Sequence, residues 1–172
     1  MSDSSQQDLS RNIKKAVLDT NCFIDAVTPS SAAHCFVQML MSAKGIRLGV
    51  SQHSLVEIKE PEAARELAGK FEIVPYWPIG TIAEQVATIA QLSGTWEDAR
   101  RNQEIQEELE GLAKSGNDIR DRGAYLDALH WSADVFVTSD KHLASSGPAR
   151  RLHERFSLRV LTPLQITTEL FL

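Results

Sequence analysis

The chain has 172 residues, of which 42% are hydrophobic and 24% charged, a composition typical of a globular domain with an apolar core. No apolar stretch approaches the roughly 20 residues that a membrane helix requires, and the polar N-terminal segment lacks the apolar centre of a secretory signal. We therefore expect residues 1–14 to form a flexible tail and residues 15–172 a single domain, with no membrane partner.

The net charge of −5 at pH 7 does not favour a nucleic-acid enzyme, because basic surface usually neutralises phosphates. Composition alone favours a small-molecule enzyme or an interaction protein. Two features weaken this objection: a bound cation offsets the charge of metal-binding carboxylates, and the basic residues form local clusters, at 100–101, 120–122, 141 and 150–151. Cys22 and Cys35 lack zinc-site spacing and have apolar neighbours in sequence, which predicts buried reduced thiols and a cytoplasmic location.

Short apolar runs alternate with helical patterns along the chain. In chain order we predict a strand at 15–18, a helix at 31–44, a strand at 46–50, a helix at 51–69 interrupted at Pro61, a strand at 71–75, helices at 79–92, 96–114 and 117–132, a strand at 134–138, a helix at 149–155, a strand at 157–161 and a helix from Pro163. This alternation predicts an α/β fold, an α/β/α three-layer arrangement with a central parallel sheet of about five strands.

Four acidic residues stand at or near the ends of these elements. Asp19 directly follows the first strand, Asp140 directly follows the fourth, Glu57 lies early in the helix after the second strand, and Asp121 lies near the start of a helix. Carboxylate oxygens are the ligands that Mg²⁺ and Mn²⁺ prefer, and a metal held there can activate water against a phosphate. Without a cation, converging carboxylates repel one another, so convergence predicts a metal site.

Three segments together resemble the signature regions of the PIN-domain nuclease family. Residues 17–25 read Val-Leu-Asp-Thr-Asn-Cys-Phe-Ile-Asp, residues 50–58 end in Leu-Val-Glu-Ile, and residues 133–143 read Ala-Asp-Val-Phe-Val-Thr-Ser-Asp-Lys-His-Leu. The resemblance extends from residue 16 to the C-terminus and is similar to toxin-type members, with an additional helical segment at 93–116. It implies a metal-dependent endoribonuclease with Mg²⁺ or Mn²⁺ as cofactor and RNA as substrate. It places Asp19, Glu57 and Asp140 at the acidic positions of the family.

The third acidic position of the family stays open between Asp121 and Asp118. The family places an Asp at the start of the helix before the Val-Phe-Val-Thr strand, about nineteen residues ahead of the last Asp, and Asp121 has this spacing. Asp118 lies one turn earlier on nearly the same face. The family helix usually reads Asp-Ala-x-x-Ala, whereas Gly123 follows Asp121 and Arg122 here. Asp127 lies about 240° around the helix from Asp121 and ranks third.

Simpler structural roles compete with these assignments. Ser54 and Glu57 have the spacing of a capping box, Asp140 is also expected to cap a helix, and first-turn acids such as Asp118 and Asp121 are common. Other side chains are expected to assist. We predict hydrogen bonds to the carboxylates or metal waters from Asn21, Thr138 and Ser139, and phosphate contacts from Arg120, Arg122 and Lys141. Asp25 is expected to be solvated or a cap.

Two other functions compete with the nuclease. A strand followed by Asp also opens haloacid-dehalogenase-type phosphatases, but their second Asp is replaced by Asn21, which cannot exchange a proton. A catalytically silent PIN-fold domain that binds RNA or protein is the main alternative. Because many small family members are toxins, the resemblance also makes a toxin of a toxin–antitoxin pair, an antitoxin or regulatory protein as partner, and a homodimer expectations. The RNA target cannot be derived from the sequence.

Overall fold

The computed structural model describes residues 13–75, the helical residues Glu97, Arg100, Arg101, Gln103, Glu104 and Glu107, and residues 118–171; of residues 118–122 and Pro148 it describes the backbone. Most of the predicted tail, the predicted helix at 79–92 and most of the predicted helix at 96–114 lie outside the described residues. The six described positions in the latter are helical, as predicted. No helix in the described part of the chain is long and apolar enough to cross a membrane.

Five parallel strands form one sheet in the order β3-β2-β1-β4-β5. The strands are β1 (Lys15–Leu18), β2 (Arg47–Ser51), β3 (Glu72–Val74), β4 (Val135–Val137) and β5 (Arg159–Leu161). The central strand β1 pairs with β2 on one side and with β4 on the other. The strand order therefore reverses between β1 and β4, and in open parallel sheets the crevice beyond the carboxyl ends at such a reversal is the usual ligand site.

Helices cover both faces of this sheet, which confirms the predicted three-layer α/β/α fold. They are α1 (Thr20–Ala26), α2 (His34–Met41), α3 (Gln52–Glu57), α4 (Glu62–Ala68), α5 (Asp118–His130), α6 (Lys141–Ala144), α7 (Gly147–Phe156) and α8 (Pro163–Phe171). Alternate residues of the buried strands face opposite layers, so Val17 and Phe136 pack with α5 and α7, whereas Leu18 and Val137 pack with α1, α2 and α8.

Two described helices were not predicted from the sequence, and a third is shorter than predicted. The short helices α1 and α6 begin directly after Asp19 and Asp140, where seven and four residues are too few for an apolar period to appear in sequence. The predicted helix at 31–44 is shortened to α2. The prediction that both cysteines are buried is wrong for Cys35, because α2 turns Val37 and Leu40 inward and Cys35 to solvent, while Cys22 is buried.

Candidate functional site

Asp19 is the buried acid at the carboxyl end of the central strand. Its backbone N–H donates to the Val137 carbonyl at 2.9 Å, which ties the end of β1 to the end of β4. Its side chain caps α1, because Oδ1 accepts from the Thr20 N–H at 2.7 Å, and Oδ2 accepts from the Thr138 hydroxyl at 2.8 Å. Only 6% of the residue is exposed. The carboxylate is therefore fixed in orientation at the point where the strand order reverses.

Glu57 is connected to Asp19 through Thr20. The Thr20 hydroxyl lies 3.0 Å from Glu57 Oε2, while the backbone N–H of the same residue binds Asp19. Glu57 is the last residue of α3, not an early one as predicted from sequence. The capping box of Ser54 and Glu57 is also wrong, because Ser51 is the N-cap of α3 and accepts from the Ser54 N–H. Glu57 is thus held by Thr20 beside Asp19 at the end of α3.

Asp140 is connected to Asp19 through Thr138. The Thr138 hydroxyl donates to Asp19 and accepts from the Asp140 N–H at 3.2 Å. The exposed Asp140 side chain caps α6, because its Oδ1 accepts from the N–H groups of His142 and Leu143 at 2.8 and 3.2 Å. Asp140 therefore acts as the expected N-cap and stands at the mouth of the crevice, whereas Asp19 lies at its base.

The surroundings of Asp19 disfavour a negative charge on its carboxylate. Burial raises the pKa of Asp19 to about 6, although the hydrogen bonds from Thr138 and Thr20 act in the opposite direction. The negative charges of Glu57 and Asp140 raise the same pKa further. A carboxylate in this position is held at a cost in free energy that a bound cation would offset.

For the predicted site residues on α5, the structure describes the positions of the backbone. Asp118 begins the helix and Asp121 lies one turn later, with Arg120 and Arg122 beside them; their side chains lie outside the described residues. The choice between Asp118 and Asp121 therefore stays open. Asp127 is fully buried, and its Oδ2 lies 2.9 Å from Nδ1 of His53 on α3, so this acid is engaged on another face of the helix.

The His53 contact also explains why glycine occupies position 123. A Cβ atom added there would lie 2.5 Å from the His53 ring, too close for any side chain without displacement. Gly123 therefore allows α3 and α5 to approach closely, which brings the element that ends at Glu57 against the element that begins at Asp118. In the sequence, Gly123 is a departure from the usual Asp-Ala-x-x-Ala pattern of the family helix, and its contact with His53 is not indicated.

A second polar cluster beside the site was missed in sequence. Asp25, expected to be solvated or a cap, accepts hydrogen bonds from the hydroxyls of Ser31, at 2.6 Å, and Ser139. The Ser139 hydroxyl, predicted to serve the metal or its ligands, is therefore directed to Asp25. Asn21 is exposed in the first turn of α1, and Lys141 is exposed in the first turn of α6. No local signal in the sequence indicates this cluster, because Ser139 lies 114 positions from Asp25.

The carboxylates around Asp19 match a divalent metal in the chemical type of their donor atoms. Asp19, Glu57 and Asp140 supply oxygen atoms, which Mg²⁺ and Mn²⁺ prefer, and Thr20 and Thr138 orient them. Each Asp19 oxygen accepts one described hydrogen bond and retains lone-pair capacity for a second partner. Among the side chains that the structure describes, no three His, Cys, Asp or Glu residues form a ready-made ligand group. Side chains of Asp118 and Asp121 are not among them.

Comparison with solved structures supports the fold. The chain is similar to one in the crystal structure of VapBC2 from Rickettsia felis bound to a DNA fragment from their promoter, with a TM-score of 0.50 and 16% sequence identity. The similarity covers 86% of this chain and 98% of that chain. No family model matches the sequence. No curated protein matches it either. At 16% identity the likeness shows a shared fold, consistent with the PIN-like architecture.

Proposed function

We propose that the protein is a metal-dependent endoribonuclease with its active site at the carboxyl ends of β1 and β4. The observation that carries the proposal is the arrangement around Asp19, a buried carboxylate with Glu57 and Asp140 close enough to raise its pKa. Carboxylates in a crevice whose pKa is shifted by burial and by neighbouring charges are frequent in enzyme active sites. An added acid from α5, Asp121 or Asp118, would complete the set.

The residues of the chain would act by positioning. Asp19, Glu57 and Asp140 would hold Mg²⁺ or Mn²⁺, which when bound supplies an activated water and neutralises charge on the phosphate under attack. Thr20 would orient two of the carboxylates, because its backbone N–H donates to Asp19 and its hydroxyl to Glu57. Thr138 would join Asp19 to the next acidic residue, because its hydroxyl donates to the Asp19 carboxylate and accepts from the Asp140 backbone N–H. Lys141, beside Asp140, would attract the negative backbone of an RNA strand, with Arg120 and Arg122 as further phosphate contacts.

The proposal is tested by RNA cleavage with and without Mn²⁺, comparing the wild type with Asp19→Asn. We expect cleavage by the wild type that EDTA abolishes, and none above background from Asp19→Asn. Glu66→Gln, which changes an exposed acid on α4, is the matched control and should cleave normally. Equal cleavage by the wild type and Asp19→Asn would disprove the assignment.

The second candidate is a catalytically silent domain that binds RNA or protein. It is favoured by the exposure of Asp140 and by the absence of a ready-made ligand group among the described side chains. Titration calorimetry with Mn²⁺ separates the two candidates, because a silent domain predicts no saturable binding to the wild type. Saturable binding that Asp19→Asn removes would support the nuclease.

A role as the toxin of a toxin–antitoxin pair, in the cytoplasm and with an antitoxin as protein partner, is supported by the resemblance to toxin-type PIN ribonucleases and by the fold shared with a VapBC2 chain. It predicts that induced expression arrests growth and that Asp19→Asn does not. Co-expression of the neighbouring gene product should restore growth if it encodes the antitoxin. Growth arrest by both wild type and Asp19→Asn would separate toxicity from catalysis. The homodimer is a further expectation, tested by sedimentation.

A further inference from the structure

A cleft of about 420 Å³ opens beside the proposed active site. It lies beyond the carboxyl ends of β4 and β5, and its polar lining residues are Asp25, Ser31, Ser139, Lys141 and Thr162. Its volume is within the range of about 300–1,000 Å³ that is usual for pockets that enclose a small molecule. Two residues of the cleft, Ser139 and Lys141, flank Asp140 in sequence, so the cleft lies beside the segment that carries this acid of the proposed site.

Asp25 is the most strongly oriented group in the cleft. The hydroxyls of Ser31 and Ser139 each donate to a different oxygen of its carboxylate. An ionised carboxylate has about four lone-pair positions, so each oxygen retains capacity for one further donor. The two oxygens together therefore present a fixed pair of acceptors, and a ligand with two adjacent N–H donors matches them.

The cleft also has apolar lining residues, which suit contact with the face of a planar ring. They are Phe36 of α2 and Pro163 and Leu164 of α8. Leu164 is 51% exposed, so its side chain is accessible to a ligand in the cleft. In single-stranded RNA, proteins recognise a splayed base by contact with its face and hydrogen bonds to its edge. The cleft supplies both kinds of contact.

We propose that this cleft binds an unpaired guanine of the RNA substrate, with Asp25 as the residue that reads the base. The inference rests on the proposed function. Guanine presents two adjacent donors on its Watson–Crick edge, N1–H and the 2-amino group, whereas adenine, cytosine and uracil each present a single donor group there. The guanine would bind both oxygens of Asp25. Its phosphate would lie toward Lys141 and the carboxylates at the mouth of the active site.

An arginine side chain from a protein partner is the competing occupant, because it also offers paired donors to a carboxylate. The ammonium group of Lys141 in the same cleft disfavours a second cation and favours a ligand that carries a phosphate. The two occupants are therefore distinguishable by charge. A nucleotide is expected to bind more tightly than an arginine derivative and to lose affinity when Lys141 is neutralised.

The test measures binding of the four nucleoside 5′-monophosphates and of N-acetylarginine amide by NMR or calorimetry, in the Asp19→Asn background so that catalysis plays no part. We expect guanosine monophosphate to bind about tenfold or more tightly than the other three, in line with the value of a bidentate contact. Asp25→Asn should remove this preference, because an amide exchanges one acceptor for a donor. Glu66→Gln should keep it.

Ala32→Trp, which adds a large ring to an exposed position in the wall of the cleft, should block guanosine monophosphate without removing the carboxylate. The proposal is overturned if guanosine monophosphate shows no saturable binding at millimolar concentration, if Asp25→Asn keeps the preference, or if the arginine derivative binds more tightly. Guanine binding by a protein that cleaves no RNA would instead disprove the nuclease and leave the subsite standing. Cleavage without preference for guanine, in a protein that fails to bind guanosine monophosphate, would support the nuclease and disprove the guanine subsite.

Discussion

Two aspartates at opposite ends of the same sheet show what distinguishes a candidate site from a structural contact. Asp134, at the amino end of β4, accepts from the backbone N–H groups of Lys14 and Lys15 at 2.8 and 2.9 Å. Asp19, at the carboxyl end of β1, also accepts two hydrogen bonds. The difference is the surroundings: Lys15 lies near Asp134, whereas Glu57 and Asp140 lie near the buried Asp19. Hydrogen bonding alone therefore does not mark a site; burial together with like charge does.

The largest expected effect is on metal affinity. Asp19→Asn should weaken Mn²⁺ binding by more than about 100-fold, since loss of even an outer-sphere partner costs about 10–100-fold. Asp134→Asn should leave Mn²⁺ affinity unchanged, because that residue lies at the other end of the sheet. Titration calorimetry on both variants measures the difference. Similar losses from both substitutions would contradict the comparison.

The second effect is on stability and its pH dependence. The folded-state pKa of Asp19, about 6 against an ordinary 3.8, means that the folded protein holds the proton more tightly than the unfolded chain. The free energy of unfolding should therefore decrease as pH rises through the window between these values, by up to about 3 kcal/mol at about 1.4 kcal/mol per unit. Without metal at about pH 8, Asp19→Asn should be more stable than the wild type.

Urea unfolding in EDTA at about pH 4 and pH 8 measures this prediction. The wild type and Asp19→Asn should converge at the lower pH, where Asp19 is mostly protonated in the folded protein. Asp134→Asn should destabilise at about pH 8, by about 1–2 kcal/mol, because its partners are backbone donors that lose a charged acceptor. An Asp19→Asn variant less stable than the wild type at about pH 8 would be inconsistent with the raised pKa.

The third expected effect concerns the Thr138 hydroxyl. Thr138→Val removes the hydroxyl between Asp19 and Asp140 and should reduce Mn²⁺ affinity by about 10–100-fold. Thr138→Ser keeps the hydroxyl and should retain most of the affinity, which separates hydrogen bonding from packing at this buried position. If both variants bind Mn²⁺ as the wild type does, Thr138 does not position the carboxylates.

The smallest expected effect concerns the contact of α3 with α5. Alanine ordinarily stabilises a helix relative to glycine, but Gly123→Ala should lower the free energy of unfolding by about 1–3 kcal/mol because the added Cβ meets the His53 ring. Gly69→Ala is the matched control. Its Cβ would meet only ordinary contacts at 3.6 Å, so this variant should be neutral or slightly stabilising. Equal free energies of unfolding for Gly123→Ala and Gly69→Ala would mean that the His53 ring moves aside without cost.

The sequence by itself determined the alternation of strands and helices and the positions of Asp19 and Asp140, because these depend on local apolar runs and on residues next to strand ends. The parallel five-stranded sheet and its three layers followed from that alternation. The expectation that Asp140 caps a helix is also confirmed, although the short helix that it caps, α6, was not predicted.

Only the tertiary structure decided which side chains meet across the crevice. Ser51 rather than Ser54 caps α3. The helix ends at Glu57, which lies beside Thr20. Asp25 is bound by Ser139, which is 114 positions away in sequence. Asp19 is bound by Thr138, which is 119 positions away. These contacts depend on the order of the strands in the sheet, and the local pattern that makes each strand carries no information about its neighbours.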